Sequence, residues 1–292
     1  MKKLKFLFTA TVISLILPVF WSCKSVPEAE VYVNPLDLID NKSSFYFRVP
    51  TLVDPDFVQR MIQSNVEGLS ESDAEKIVKR IDTMYLGVTK RRKSTDFQIS
   101  ADCNFPQIAV KKAFSKKNGW NSDLYTYNTS LNLPMEYSVY QRSGMYAAFP
   151  AQKIACLGRN VTDMVKTYHS LAWTEEKETE NAIPEEIRNW LSYDDEDSRY
   201  QIRFYAANPQ SFLTVMMGVS LNYQLSFVKG KLISDPKDSD QFFMDIEFEF
   251  RENRFLLPAK AVISLAFGLT DSDIKTTSDS TIIVSHIKYY TL

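Results

Sequence analysis

The chain has 292 residues, 45% hydrophobic and 24% charged, with 34 Lys+Arg against 36 Asp+Glu and a formal charge of −2. That length can bury one large core or two small ones, and the lack of a basic surplus argues against nucleic acid as a partner. Eight glycines, two histidines and three cysteines leave little material for phosphate loops or Cys/His metal sites.

The first 22 residues read as an export signal. Lys2, Lys3 and Lys5 precede an apolar run from Phe6 to Phe20, and a short exit leads to Cys23. The run is about 15 residues, short of the roughly 20 a spanning helix needs. A cysteine at this point is similar to the bacterial lipoprotein signal, which implies acylation of Cys23 and a mature chain that begins there. Phe20 and Trp21 depart from the usual small-aliphatic residues before the cysteine, while Ser22 fits. Loss of the three signal lysines takes Lys+Arg from 34 to 31 against 36 acidic residues, so the mature chain carries −5.

Residues 23–43 form a tether. From Ser44, SFYFRV alternates as a strand, and Asp54-Pro55 opens an amphipathic helix with Phe57, Val58, Met61 and Ile62 against Asp56, Arg60 and Glu67. Ser72-x-x-Glu75 has the form of a capping box for a second helix, with Ile77, Val78, Ile81, Met84 and Tyr85 at helical spacing. A hairpin joins MYLGVT to DFQISA across Lys90–Lys93, and a further helix follows Phe105. The strands YSVYQR, MYAAFPA and KIACLG then lead into a helix over 161–173. The acidic stretch 174–199 reads as a solvated linker with an amphipathic turn or two at Pro184–Leu191. Asp194, Asp195, Glu196 and Asp197 lack the ligand spacing of a calcium loop.

The pattern then starts again. YQIRFYAANPQSFLTVMMG from Tyr200 parallels SFYFRVPTLVDPDFVQRMI from Ser44, at an offset of about 155 residues. A second hairpin joins YQLSFV through Lys229-Gly230-Lys231 to FFMDIEFEF, where Met244, Ile246, Phe248 and Phe250 alternate with Asp245, Glu247 and Glu249. A helix over 256–269 and the alternating tail STIIVSHIKYY complete the chain. The expected fold is α+β, with two similar halves, 44–173 and 200–292. Each is a mostly antiparallel sheet with amphipathic helices packed on it.

Nothing in the sequence assembles into catalysis. There is no G-x-S-x-G elbow, H-E-x-x-H helix or nucleophile–base pair. His169 and His286 stand alone, and Glu247 and Glu249 alternate as any wet strand face does. No enzyme activity, cofactor or metal is expected. Cys103 and Cys156 are compatible with buried thiols or with a disulfide.

The halves differ in their helices. NPQSFLTVMMGVSL, residues 208–221, carries no charge, and LLPAKAVISLAFGL from Leu256 has only Lys260, whereas FPQIAVKKAFSKK from Phe105 has four lysines. Helices apolar on all sides are buried somewhere: in the fold's own core, around a lipid, or in a membrane interface. At about 12–14 residues they are too short to span a bilayer but long enough to lie in one. A signal ending FWSC, two similar α/β halves and helices at 55–69, 105–117, 209–221 and 258–269 together resemble the treponemal concealed outer-membrane lipoproteins. The resemblance implies a chain on the periplasmic face of an outer membrane that inserts amphipathic helices. The expected lipid contacts are Phe212, Leu213, Met216 and Met217, with Leu256, Val262, Leu265 and Phe267 from the second helix. The alternative is a tethered periplasmic module that binds a small apolar ligand or a protein partner.

Overall fold

The computed structural model describes residues 32–65, 69–90, 94–128, 134–173, 183–193, 195–210, 224–235, 238–267, 272–277 and 280–290. Its frame is one antiparallel sheet of twelve strands: β1 (Phe45–Pro50), β2 (Ile81–Lys90), β3 (Thr95–Cys103), β4 (Asn121–Asn128), β5 (Pro134–Arg142), β6 (Met145–Ala151), β7 (Ile154–Gly158), β8 (Gln201–Ala206), β9 (Leu225–Asp235), β10 (Asp238–Phe250), β11 (Asp273–Thr276) and β12 (Thr281–Tyr290). They are ordered β11-β12-β10-β9-β8-β1-β2-β3-β7-β6-β5-β4. β1 and β8 pair at the centre, Phe45 opposite Ala206 and Arg48 opposite Arg203, so one sheet runs through both of the segments expected as similar halves. Residues 33–292 form a single compact unit.

Six helices are described: α1 (Pro55–Asn65), α2 (Glu71–Val78), α3 (Gln107–Ala113), α4 (Thr162–Trp173), α5 (Glu185–Ser192) and α6 (Leu256–Phe267). Alternation sorts the side chains to two faces of the sheet. On one face, Tyr46, Tyr85, Val139, Cys156 and Tyr205 join Val161, Val165, Ile187 and Leu191, so α4, α5 and the 3-10 turn Pro35–Leu38 cover this side of the first half. On the other face, α1 and α2 bring Val58 and Val78 onto Val49, Met84 and Ala101. There α3 brings Val110 onto Cys103, Tyr140 and Ala147. α6 brings Ala259 and Ile263 onto Ile246, Phe248, Ile282 and Val284. Burying one such aliphatic or aromatic side chain contributes about 1.5–3 kcal/mol.

The alternation of β10 is as expected: Met244, Ile246, Phe248 and Phe250 are buried. Their neighbours face water as a charge ladder, Lys229–Glu247 at 3.1 Å and Lys231–Asp245 at 3.7 Å, while Glu249 accepts hydrogen bonds from Ser280 and Thr281. A bulge between Met244 and Ile246 puts His286 at φ +62°, with its N–H donated to Asp245. The β5–β6 hairpin turns on Ser143 and Gly144, both at positive φ as a two-residue turn requires.

Several local expectations change. Lys229-Gly230-Lys231 is no turn but the middle of β9: the ring of Phe204 and the carbonyl of Asp245 occupy the space a Cβ at Gly230 would take. The second helix begins two residues earlier, capped by Ser70, whose Oγ accepts from the Asp73 N–H at 3.2 Å, and not by Ser72. It ends at Val78, and Ile81, Met84 and Tyr85 belong to β2. Within the stretch expected as a solvated linker, α5 buries Ile187 and Leu191, and Arg188 donates to Asp37 at 2.7 Å. Arg203 donates to the Trp190 carbonyl at 2.6 Å and lies over its ring, fastening α5 to β8. Asp195 accepts from the Ser198 N–H at 2.7 Å, closing a local turn.

Cys103 and Cys156 are buried thiols. Cys156 pairs with Ser100, and Cys103 lies three residues further along β3, so the two point to opposite faces. Burial pushes the Cys103 thiol up to about 12 and raises Cys156 as well.

Candidate functional site: one helix layer and the cavity beneath it

α1, α2, α3 and α6 lie on the same face of the sheet, and their outer surfaces are the candidate site. α6 is held by Ala259 and Ile263, while Leu256 and Phe267 are half-buried against the same cluster. Its outward row runs Leu257, Ala261, Leu265, flanked by Pro258 and Ala266, all exposed and without a polar side chain among them. Leu257 is 79% and Leu265 82% exposed. A helix that meets water along such a row normally carries charge there. Nothing intrinsic to helix formation requires leucine at these two positions, because Lys, Glu or Gln propagates a helix about as well.

α3 presents a different exterior: Gln107, Lys111 and Lys112 are exposed beside Ile108, which is 85% exposed. Its C-terminal carbonyls are capped by Asn118, whose Nδ2 donates to Lys112 O at 3.2 Å and Ala113 O at 2.8 Å. Leu52 and Phe57, at and after the turn into α1, add further exposed apolar surface.

Under this layer, between α1–α2 on one side and α3 on the other, lies a cavity of about 790 Å³. Met84, Ile99, Ala101 and Leu157 of the sheet form its floor, with Ile62 and Ile77 on one wall and Val110 and Phe114 on the other. Phe114 is fixed by neighbouring rings, at 4.7 Å from Trp120, 5.0 Å from Phe149 and 5.2 Å from Tyr140. The rim is basic: Lys76, Lys79, Arg80, Lys112 and Arg142 stand against the single carboxylate of Asp73. The Lys76 and Ser70 hydrogen bonds, with Lys112 nearby, hold Asp73 below the usual carboxylate range.

Of the side chains singled out from sequence, Leu265 is exposed on the outer row, and Leu256, Val262 and Phe267 are half-buried, turned toward the fold to different degrees. Cys23, Phe212, Leu213, Met216 and Met217 lie outside the described residues. Sequence reasoning missed Leu257 and Ile108 as outward groups. Helical spacing offered a signal for Leu257, four residues before Ala261 and eight before Leu265. It also missed the cavity and its rim, which gather residues from five strands and three helices.

His169, on the opposite side of the sheet, is buried between Tyr137 and Tyr168 with centroids 6.1 and 5.4 Å away, and burial lowers its pKa. Among the described residues, no three His, Cys, Asp or Glu side chains gather as metal ligands. No described helix is long and apolar enough to cross a membrane.

Residues 30–289 match the model of the family described as outer membrane-associated lipoprotein TP0453. Two solved structures, crystal forms I and III of TP0453, superpose with TM-scores of 0.64 and 0.63 at 16% identity. Each covers 89% of this chain, with 94% and 95% of the other chain. A likeness at that identity concerns the fold. No curated protein matches the chain.

Proposed function

The chain belongs to the outer membrane-associated lipoprotein TP0453 family, and from that premise we propose that its helix layer docks on the lipid surface to which Cys23 anchors it. The family is one of exported, membrane-associated lipoproteins and not of enzymes. The docking reading rests on one observation, the uncharged outward row of α6 with Leu257 and Leu265 almost fully exposed. Each leucine moved from water into the acyl boundary contributes about 1.5–3 kcal/mol, and one acyl chain alone gives only marginal, reversible binding. The helix row therefore supplies a second anchoring signal. Phe212, Leu213, Met216 and Met217 extend the same contact, and the periplasm-facing leaflet of the outer membrane is its place. We also read 44–173 and 200–292 as copies of one unit. The support is that β1 and β8 pair with each other, and each half continues with a hairpin (β2–β3, β9–β10) and a helix on the same face (α3, α6).

The test is flotation of the non-acylated Cys23→Ala chain with liposomes, beside the same chain carrying Leu257→Glu and Leu265→Glu. Both leucines are exposed, so the variant is expected to keep its unfolding midpoint. The parent chain should float and the variant should not. Equal flotation, or none for either, removes α6 as a contact.

A second reading, a tethered module that holds a small apolar ligand, is favoured by the cavity under α1–α3. Its volume lies within the roughly 300–1,000 Å³ of small-molecule sites.

A further inference from the structure

We propose that this cavity holds the alkyl chain of a single-chain amphiphile and that the basic rim, chiefly Arg80, Lys112 and Arg142, reads an anionic head on it. The inference rests on the reading of the cavity as a ligand site and adds the chemical class of the ligand.

The floor and walls are aliphatic and aromatic, so what they enclose is hydrocarbon. The polar groups gather at the rim and are overwhelmingly of one sign, five cations against one carboxylate. That excess is local, because the chain as a whole is acidic. Two of the five are already engaged: Lys76 bonds Asp73 at 3.1 Å and Lys79 bonds Glu75 at 2.6 Å. Among the described residues the other three make no salt bridge to a carboxylate, although Lys112 stands near Asp73.

The two arginines are nevertheless held in place. Arg80 Nη1 donates to the Asn104 carbonyl at 3.2 Å, and Arg142 Nη1 to the Asn118 carbonyl at 2.8 Å. Each bond uses one donor of a guanidinium that has five, leaving the rest of the fork for an oxyanion. Asn118 also caps the end of α3 at the Lys112 carbonyl, so the Lys112 backbone and the Arg142 guanidinium meet at the same short turn. A carboxylate or phosphate at the mouth meets two preset guanidiniums, with the Lys112 ammonium beside them, while its chain enters the apolar interior. A neutral head of the same size leaves those donors unused, and the preference between the two is electrostatic and screened by salt.

The experiment uses the full chain as Cys23→Ala, with a fluorescent palmitate analogue as the probe and palmitate, palmitoyl lysophosphatidate and hexadecanol as competitors. Palmitate and the lysophosphatidate are expected to displace the probe at concentrations at least tenfold below hexadecanol, and their ratio tells a carboxylate head from a phosphate head. The double variant Lys112→Gln, Arg142→Gln should lose that preference and keep the hexadecanol value. Ala109→Phe, which fills the cavity from α3, should weaken all three, and unchanged unfolding midpoints certify both variants as folded. Equal displacement by hexadecanol and the anions in the parent chain overturns the head-group inference and leaves the cavity reading standing. A parent chain that binds none of the probes overturns both.

Discussion

Helices α3 and α6 lie on the same face of one sheet, each entered from the strand that completes a hairpin, yet they turn different surfaces outward. Both are held by a few small side chains, Val110 in one, Ala259 and Ile263 in the other. Outside, α3 mixes Ile108 with Gln107, Lys111 and Lys112, whereas the exposed positions of α6 are Leu257, Pro258, Ala261, Leu265 and Ala266, with Lys260 and Ser264 half-buried. The scaffold fixes where a helix sits through its inward positions. The outward positions are free of that constraint, and their composition reports what the helix meets there. The first half's lysines suit water and a charged mouth over a cavity; the second half's leucines suit hydrocarbon.

The strongest way to break the comparison is to remove the shared anchoring. Ile263→Ala is expected to cost about 2–5 kcal/mol, measured as the loss of unfolding free energy in urea, because the Ile246–Phe248–Val284 cluster beneath α6 is left with a void. A cost under about 1 kcal/mol would mean that α6 is not held by this side chain.

Exchanging the exteriors sharpens it. Leu257→Glu with Leu265→Glu should lower liposome affinity of the non-acylated chain at least tenfold, or about 1.4 kcal/mol, with stability changed by no more than about 0.5 kcal/mol per site. The converse, Lys111→Leu with Lys112→Leu on α3, should raise that affinity. If the charged α6 variant floats as well as its parent, the two exteriors do not differ in function.

The covered side of the sheet supplies a control through pH. His169 is buried, which disfavours its charged form and places its folded pKa below the ordinary 6.5. As pH falls below 6.5 the unfolded chain takes up a proton that the folded chain refuses, so stability drops. Thermal midpoints of the parent should fall between pH 7 and 5, and those of His169→Phe should fall less. An equal fall in both would clear His169 of a part in it.

The smallest effect is expected at the bulge. His286→Gly removes the side chain that disfavours φ +62°, against the entropy a glycine adds to the unfolded chain and the exposed Asp273 contact at 3.6 Å. A change within about 0.5 kcal/mol is expected. A larger loss would show that the imidazole holds β11 to β12.

Legibility in the sequence followed how much of an element's fate is local. The β10 alternation could be read because one side of that strand is dry and the other wet. The α6 helix could be read because a run of helical length with Lys260 as its one charge packs against apolar neighbours almost wherever it lies. β4 was missed: NSDLYTYN is an edge strand whose described side chains are nearly all exposed, so no buried set marks its period. Gly230 reads as a turn in sequence because its reason, a ring from β8 lying across it, comes from residues outside its own hairpin. α5 reads in sequence only as an amphipathic turn or two at Pro184–Leu191, because just two side chains, Ile187 and Leu191, carry its burial in an acidic stretch. The cavity was out of reach altogether. Its rim draws Arg80, Lys112 and Arg142 from three separate elements, and nothing in their spacing predicts that they meet.

The central pairing of β1 with β8 has a consequence for how the molecule is made. Phe45 must wait for Ala206, so the sheet cannot close until two-thirds of the chain has been delivered. Closing so long a loop costs little more than closing a medium one, since each doubling adds only about 0.6 kcal/mol. The pairing is nonetheless distant in sequence, and folds built on distant pairings form slowly. During that interval β1, with Phe45 and Phe47 on it, has an open hydrogen-bonding edge, which is a template for unwanted strand pairing. The chain needs protection of that edge until the second half arrives, so a holding chaperone is expected to raise its folded yield.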